Sequence, residues 1–279
     1  MSFKTILVHV NESKHLQKRV DIGARLAKEY NASLIGVATT GVSQYFIETL
    51  ALSPDDSTVL PYLNSFRERG ENLLEQFRLS IHQLNASQVE TRLVDDEPLG
   101  GMSLHARYAD LVILGQFDPE DPAQNGQIYL PEYVAMNGGC PVLLVPHSSI
   151  INNIGDRVLI AWNGSPEAKR AIFAALPILR RAKAVEVVSF ITYGQMEAIG
   201  THPATDLSTY LARHGISAKV VEEDGMTDIG DALLSIASNF SSDLLVMGCY
   251  GNSRMREMLL GGATRKIFQS TTVPVLLSH

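Results

Sequence analysis

The chain has 279 residues, a net charge of −7 and a pI near 5.6. These values allow two domains of ordinary size and argue against a nucleic-acid-binding surface, which would carry a basic patch. Only two cysteines occur, which excludes a disulfide framework and a CxxC metal site. No apolar stretch approaches the length of a membrane span, and the start of the chain lacks a signal-peptide pattern. We therefore expect a cytoplasmic protein without a membrane partner.

The chain repeats itself. Three pairs of segments match in the same order: residues 5–13 with 157–165, 109–115 with 242–248, and 140–145 with 273–278. Such self-similarity indicates two copies of one structural unit. The spacing between matching segments shortens along the chain, so the first half carries extra residues, which we place near 40–62. We predict domains at 1–148 and 154–279, joined by a polar, turn-prone stretch.

Apolar runs alternate with helical patterns in both halves. The first half predicts strands near 4–10, 32–38, 88–94, 110–115 and 141–145, and helices near 13–29, 62–84, 98–108 and 125–137. The second half predicts strands near 157–162, 184–190, 217–222, 243–248 and 274–278, and helices near 166–181, 203–214, 227–240 and 259–270. Ser165 is the expected N-cap of the first of these helices, with Pro166 at its first position. The alternation predicts parallel sheets whose ligands bind beyond the carboxyl ends of the strands.

A glycine-spaced loop lies near the end of the second half, with the spacing Gly248-x2-Gly251-x9-Gly261. Glycines let a backbone approach a ligand closely, and the N–H groups at a helix N-terminus favour an anion. Thr264, in the first turn of the following helix, can add a hydroxyl group. The loop therefore predicts a phosphate site, although glycines alone often mark only a tight turn. The spacing is neither that of a Walker A loop nor that of a Rossmann GxGxxG turn.

These motifs resemble the signature of the universal stress protein family, G-x2-G-x9-G followed by Ser or Thr, a helix and a Pro-Val-Leu strand. Residues 163–165, 242–248 and 273–278 fit the same family pattern. The first half resembles the domain without its loop, so the chain looks like a tandem universal stress protein. The resemblance implies two tandem Rossmann-like domains of the adenine nucleotide α-hydrolase-like kind, each a five-stranded parallel sheet with helices on both faces. It also implies an intramolecular pseudo-dimer, in which the last strands 141–145 and 274–278 pair.

The same resemblance implies one site for ATP, alone or with Mg²⁺, in the second half. Carried over by position, its nucleotide-binding residues are Ala161, Trp162, Asn163, Phe190, Met247, Gly248, Gly251, Gly261, Gly262, Ala263 and Thr264. Asn163 replaces the acidic residue that the family places at the ribose, and Gly262 replaces a Ser or Thr. Trp162 either stacks near the base or fills the core.

The corresponding loop of the first half has Asp118 where the second glycine would stand. A carboxylate there would repel phosphate, so we expect no equivalent ATP site in this half. The binding of a different ligand in the cleft behind His9 and Asn11 stays an open alternative.

We identify no catalytic residues and no metal-ligand spacing. The favoured interpretation is a regulatory, stress-response protein that binds ATP with little or no turnover, as a homo-oligomer or with a protein partner. The alternatives are an interaction scaffold that does not use nucleotides, a slow ATPase, and a ligase of the ATP-pyrophosphate-loop kind. The last lacks its expected SGGxDS-type loop in either half.

Overall fold

A computed structural model describes residues 2–43, 60–84, 88–191, 203–224, 228–251 and 262–279. The predicted extra segment near 40–62 lies largely outside these ranges. The first half contains β1 (Thr5–His9), α1 (Leu16–Tyr30), β2 (Ser33–Thr39), α2 (Leu60–Gln83), β3 (Val89–Val94), α3 (Pro98–Ala106), β4 (Leu111–Gly115), α4 (Leu130–Asn137) and β5 (Val142–Val145). The second contains β6 (Arg157–Trp162), α5 (Pro166–Leu179), β7 (Ala184–Ile191), α6 (Pro203–Arg213), β8 (Ala218–Asp224), α7 (Ile229–Asn239), β9 (Leu244–Gly248), α8 (Ala263–Ser270) and β10 (Val275–Ser278).

The predicted elements agree closely with these bounds. The largest difference is the helix predicted near 125–137, where a short 3-10 helix at Pro122–Gln124 is followed by α4 from Leu130. Pro131 stands in the first turn of α4, where its fixed φ and missing N–H are tolerated, so the helix starts there rather than at 125.

The chain divides into two compact units, Ser2–Cys140 and Pro141–His279, called here the first and second units. In the first unit, four parallel strands form the order β3-β2-β1-β4. Strands β1 and β4 are almost wholly buried, as expected for continuous apolar strands covered on both faces. The predicted domain bounds 1–148 and 154–279 differ from these units in the position of β5, and they stay a prediction.

The second unit has the sheet order β5-β10-β9-β6-β7-β8. Its last five strands in this order are parallel to one another, whereas β5 runs antiparallel to β10, with Leu143 opposite Leu276. The pairing expected between 141–145 and 274–278 is therefore confirmed. Packing of the two halves as a pseudo-dimer stays a prediction. None of the helices in the described ranges is both long and apolar enough to cross a membrane.

In each unit, an aspartate accepts hydrogen bonds from backbone N–H groups at the amino end of a central strand. In the first unit, Oδ2 of Asp110 accepts hydrogen bonds from the backbone N–H groups of Lys4 (2.7 Å) and Thr5 (2.9 Å). In the second, the carboxylate of Asp243 accepts from Gly155, Asp156 and Arg157, at 2.9–3.0 Å. The repeat seen in the sequence thus extends to a specific side-chain contact.

We predict that Asp243→Ala lowers the free energy of unfolding by about 1–3 kcal/mol, because three backbone donors lose their acceptor. Urea unfolding, followed by circular dichroism, measures the change. The matched variant Asp243→Asn retains an acceptor oxygen and should lose less. Glu68→Ala, at an exposed position, serves as a control; an Asp243→Ala midpoint equal to that of this control would contradict the role assigned to Asp243.

Candidate functional site

The topology of the second unit distinguishes the carboxyl ends of β6 and β9 from those of the other strands. From β6 the chain moves through β7 to β8 on one side, and then returns to form β9 and β10 on the other. Neighbouring strands β6 and β9 therefore leave in opposite directions, which is the switch point where ligands bind in such sheets. The elements that border this point are the end of β6, the first turn of α5 and the residues after β9.

Gly248 ends β9 directly against the first turn of α5. A Cβ atom added at Gly248 would collide with the backbone N of Ala168 and would lie 2.6 Å from the carbonyl carbon of Glu167. Backbone atoms inside a helix cannot move aside, so no side chain fits at Gly248. The packing of β9 against α5 therefore requires glycine at position 248. This requirement is separate from the close phosphate approach inferred from the glycine spacing.

Gly251 faces the side chain of Glu167, a residue that the sequence analysis did not single out. A Cβ atom at Gly251 would collide with Oε2 of Glu167 and lie 3.0 Å from its Cδ. The Glu167 side chain is 13% exposed, and its Oε1 accepts a 2.7 Å bond from Arg170 Nη2. Oε2 is shielded from solvent and has no hydrogen-bond partner among the described residues. Glutamate in a first helical turn is favoured by the helix dipole, so its sequence position alone gave no functional signal.

The turn between β6 and α5 follows the predicted pattern. Ser165 is the N-cap of α5, its hydroxyl accepting from the N–H of Ala168 at 3.2 Å, and Pro166 stands in the first turn. Asn163 is exposed, and its Oδ1 accepts from the N–H of Ser165 at 3.1 Å. This carbonyl oxygen is therefore engaged in shaping the turn, and the side-chain amide is the part of Asn163 that a ligand could use.

The N-terminus of α8 has the character expected of an anion site. Gly262 is its N-cap with an extended backbone, and this residue has no side chain with which to cap the helix. Ala263 and Thr264 form the first turn, are half-buried, and are accompanied by no acidic residue in that turn. Free N–H groups and the helix dipole at such an end favour a negatively charged ligand. Gly261 lies outside the described residues.

The remaining predicted residues border β6, β7 and β9. Ala161 and Trp162 are half-buried at the end of β6, and the Nε1 of Trp162 is shielded from solvent without a hydrogen-bond partner in the described ranges. Met247 is only 5% exposed and belongs to the core of β9. Phe190 is half-buried on β7, which pairs with β6 and not with β9. The structure thus brings Gly248 and Gly251 to the start of α5, and leaves Phe190 one strand further away.

The first unit fills the equivalent position with its own polar side chains. Asp118, which corresponds in the repeat to Gly251, is 4% exposed and accepts from His15 Nε2 (2.8 Å) and Lys14 Nζ (2.9 Å). His15 corresponds in turn to Glu167. These bonds, with burial opposing them, hold the pKa of Asp118 well below its usual range. The carboxylate of Asp118, which we expected to repel phosphate, is therefore the negative group that His15 and Lys14 bind near the start of α1.

Asp121, which the sequence analysis did not identify, completes this network. It is 3% exposed, and its Oδ2 accepts from the Ser13 hydroxyl at 2.7 Å, the Lys14 N–H at 3.2 Å and Gln124 Nε2 at 3.3 Å. Burial raises the pKa of Asp121, but hydrogen bonds from Ser13, Ala123 and Gln124 outweigh this and lower it. The hydroxyl of Ser13, the N–H of Lys14 and Nε2 of Gln124 thereby have an acceptor within the chain.

His9 and Asn11 lie beneath this network. Burial, with the nearby positive charge of Arg19, lowers the pKa of His9 to about 3, so its imidazole is neutral. Arg19 is 1% exposed; burial lowers its pKa to about 10, opposed by the charge of Asp121. Its guanidinium bonds to the side chain of Asn11 and to the His9 carbonyl. The guanidinium of Arg19 also occupies the space that a Cβ atom at Gly115 would need.

One protein family matches the second half of the chain. Residues 155–279 match the model described as the Universal stress protein family. Universal stress protein Slr1230 of Synechocystis is 30% identical over 74 residues, which cover 24% of this chain and 26% of that protein. The matched region thus spans about a quarter of this curated relative.

Two solved structures share the fold over most of the chain. A universal stress protein from Archaeoglobus fulgidus aligns with a TM-score of 0.75 and 16% identity, covering 98% of this chain and 97% of its own. A functionally unknown protein from Pseudomonas aeruginosa aligns with a TM-score of 0.61 and 16% identity, covering 99% and 92%. At these identities the likeness establishes an α/β fold with a mainly parallel sheet.

We predict that the carboxylate network makes the protein sensitive to acid. The pKa of Asp118 is lower in the folded state than in the unfolded chain, so its contribution to stability is complete above about pH 5 and is lost as the pH falls below about 4. Asp118→Asn should therefore lower the urea midpoint at pH 7 and flatten its decline between about pH 5 and pH 3. Asp206→Asn, at an exposed position, is the control. A decline as steep in Asp118→Asn as in this control would show that Asp118 does not contribute.

Proposed function

We propose that the second unit binds a nucleotide, with ATP as the favoured ligand, and that the protein acts as a regulatory member of the universal stress protein family. The observation that carries this proposal is the contrast between the two switch points. In the first unit, Asp118 and Asp121 occupy the equivalent position. In the second, Gly248 and Gly251 border it without side chains.

Three further features support a phosphate-bearing ligand. The N-cap of α8 is Gly262, which has no capping side chain, and Thr264 stands in the first turn. Trp162, at the end of β6, has an indole N–H without a partner among the described residues. A polar atom left unpaired inside a protein costs about 1–3 kcal/mol, so a ligand that supplies a partner gains that energy on binding. The family match of residues 155–279 agrees with this proposal.

Slow turnover or none is part of the same proposal. The sequence analysis found no general base, and the structure adds one candidate carboxylate, Glu167. Its Oε1 is engaged by Arg170 and its Oε2 is shielded from solvent, which leaves little access for an attacking water. Cytoplasmic location and assembly with another copy or another protein are proposed on the family resemblance alone.

An interaction scaffold that does not use nucleotide is the second candidate. Large apolar side chains on the first unit favour it: Tyr108, Tyr129, Tyr133 and Met136 are 74%, 63%, 41% and 36% exposed. Such exposed groups are common at protein-binding surfaces. Heating protein purified from cells and analysing the supernatant by chromatography separates the candidates, since the scaffold should release no nucleotide.

We predict that Gly251→Asp weakens ATP binding by at least about tenfold, because it introduces the negative charge that the first unit carries at Asp118. Isothermal titration calorimetry measures the dissociation constant. Gly251→Asn is the matched control: it brings the same crowding against Glu167 without the charge, and should weaken binding less. No ATP binding by the unaltered protein, or equal binding by all three proteins, would refute the site.

A further inference from the structure

The outward side of α3 and α4 in the first unit carries six large apolar side chains that are 36–74% exposed: Leu104, Tyr108, Ile128, Tyr129, Tyr133 and Met136. This surface is called here the outer helical face. We propose that a second copy of the chain docks on it and that the two copies form a two-fold symmetric dimer. The outer helical face belongs to the first unit, so the dimer does not depend on the nucleotide site proposed above.

The apolar side chains on α4 occupy one face of that helix. Tyr129, Tyr133 and Met136 are spaced i, i+4 and i+7, which places them above one another along one side. Leu130 and Val134 are at most 4% exposed and mark the opposite side, which packs into the core. The apolar stripe of α4 therefore faces away from the core.

Helix α3 lies beside α4 and extends this surface. A Cβ atom built at Gly138, directly after α4, would lie 2.8 Å from the Cβ of Ala106 at the end of α3. Ala106 is wholly buried, whereas Leu104 and Tyr108, two residues to either side of it, are exposed. Packed helices lie about 8–10 Å apart, so the outward side chains of α3 and α4 form one surface.

The repeat shows that the fold does not require large apolar side chains at these positions. The helices are shared, since α8 (Ala263–Ser270) lies 133 residues after α4 (Leu130–Asn137). At the same offset, the residues of the second half that correspond to the outer helical face are small or polar: Ala237, Ser241, Gly261, Gly262, Lys266 and Gln269. The apolar groups of the first unit are therefore a feature of its surface, and their role lies outside core packing.

The exposed area is of the size that a dimer needs. Together the six side chains expose about as much surface as three fully exposed aromatic side chains, or about 600 Å² per copy at about 200 Å² each. A stable interface buries about 800 Å² per partner, and part of that area is a polar rim. The outer helical face can thus supply the apolar centre of such an interface.

The outer helical face has little charge. Glu132 is the one Asp, Glu, Lys or Arg between Pro122 and Pro141, and burial raises its pKa to about 7. Arg107, exposed at the end of α3, is the other charged residue of these two helices and their caps. With one cation and one carboxyl group, the two helices carry almost no net charge, although the whole chain carries −7.

This lack of charge favours a second copy over a partner that is recognised by its charge. Two chains of net charge −7 repel each other over their acidic surfaces, and the repulsion is smallest where the surface is uncharged. A two-fold interface also brings side chains near its axis against their own counterparts, so a charged side chain there would meet a like charge. Tyr and Met are enriched in interfaces and can pack against themselves without that penalty.

Sedimentation equilibrium of the full chain from about 1 μM to about 100 μM tests the dimer, whose dissociation constant we expect in this range or below it. Tyr129→Glu and Met136→Glu each place two like charges in the interface and should raise that constant at least about thirtyfold. Gln269→Glu is the matched control, because Gln269 is the exposed counterpart of Met136 in the second half, and it should leave the constant unchanged. Circular dichroism spectra of all three variants should match that of the unaltered protein, since the altered side chains are exposed.

Amide hydrogen exchange locates the contact. Raising the protein concentration through the dissociation constant should slow exchange in residues 129–138 and leave residues 262–271 unchanged. An unaltered chain that stays monomeric up to about 100 μM overturns the second copy as the occupant and leaves a different protein as the alternative. A dimer that both glutamate variants of the face leave intact, or that Gln269→Glu weakens equally, overturns the assignment of the interface to this face.

Discussion

The contact on which both units depend is the close approach of one strand end to the start of a neighbouring helix. In the second unit, Gly248 meets the backbone of the first turn of α5 so closely that no side chain fits. In the first unit, Gly115 leaves room for the guanidinium of Arg19. This approach brings the loop after the fourth strand beside the helix that follows the first strand. A side chain of this loop, or a ligand bound to it, therefore lies near a helix N-terminus, which favours anions.

The two units use this shared arrangement in opposite ways. The first directs its own carboxylates, Asp118 and Asp121, at the donors near the start of α1. The second has Gly251, which carries no carboxylate, at the position that corresponds to Asp118. A repeat can in this way keep one fold while one copy satisfies its anion site internally and the other retains it for a ligand. The proposed regulatory role needs only this one site per chain.

The sequence predicted the order and type of the described elements, because apolar runs and turn residues mark parallel strands and their helices clearly. It also predicted the N-cap at Ser165 and the pairing of the last strands. It did not identify Glu167, Asp121 or Gln124, whose roles depend on contacts between segments far apart in the chain. Asn163 shows the same limit: the family resemblance implies a place for it at the ribose, but does not indicate the hydrogen bond that its Oδ1 accepts from the N–H of Ser165.

Native mass spectrometry of the full chain with ATP tests the central claim most directly, because it counts bound nucleotides per polypeptide. The contrast between the self-satisfied first unit and the glycine-bordered second unit predicts a single bound ATP per chain at saturation. Two bound ATP molecules would show that Asp118 and Asp121 do not prevent nucleotide binding in the first unit. No bound ATP would contradict the nucleotide site of the second unit itself.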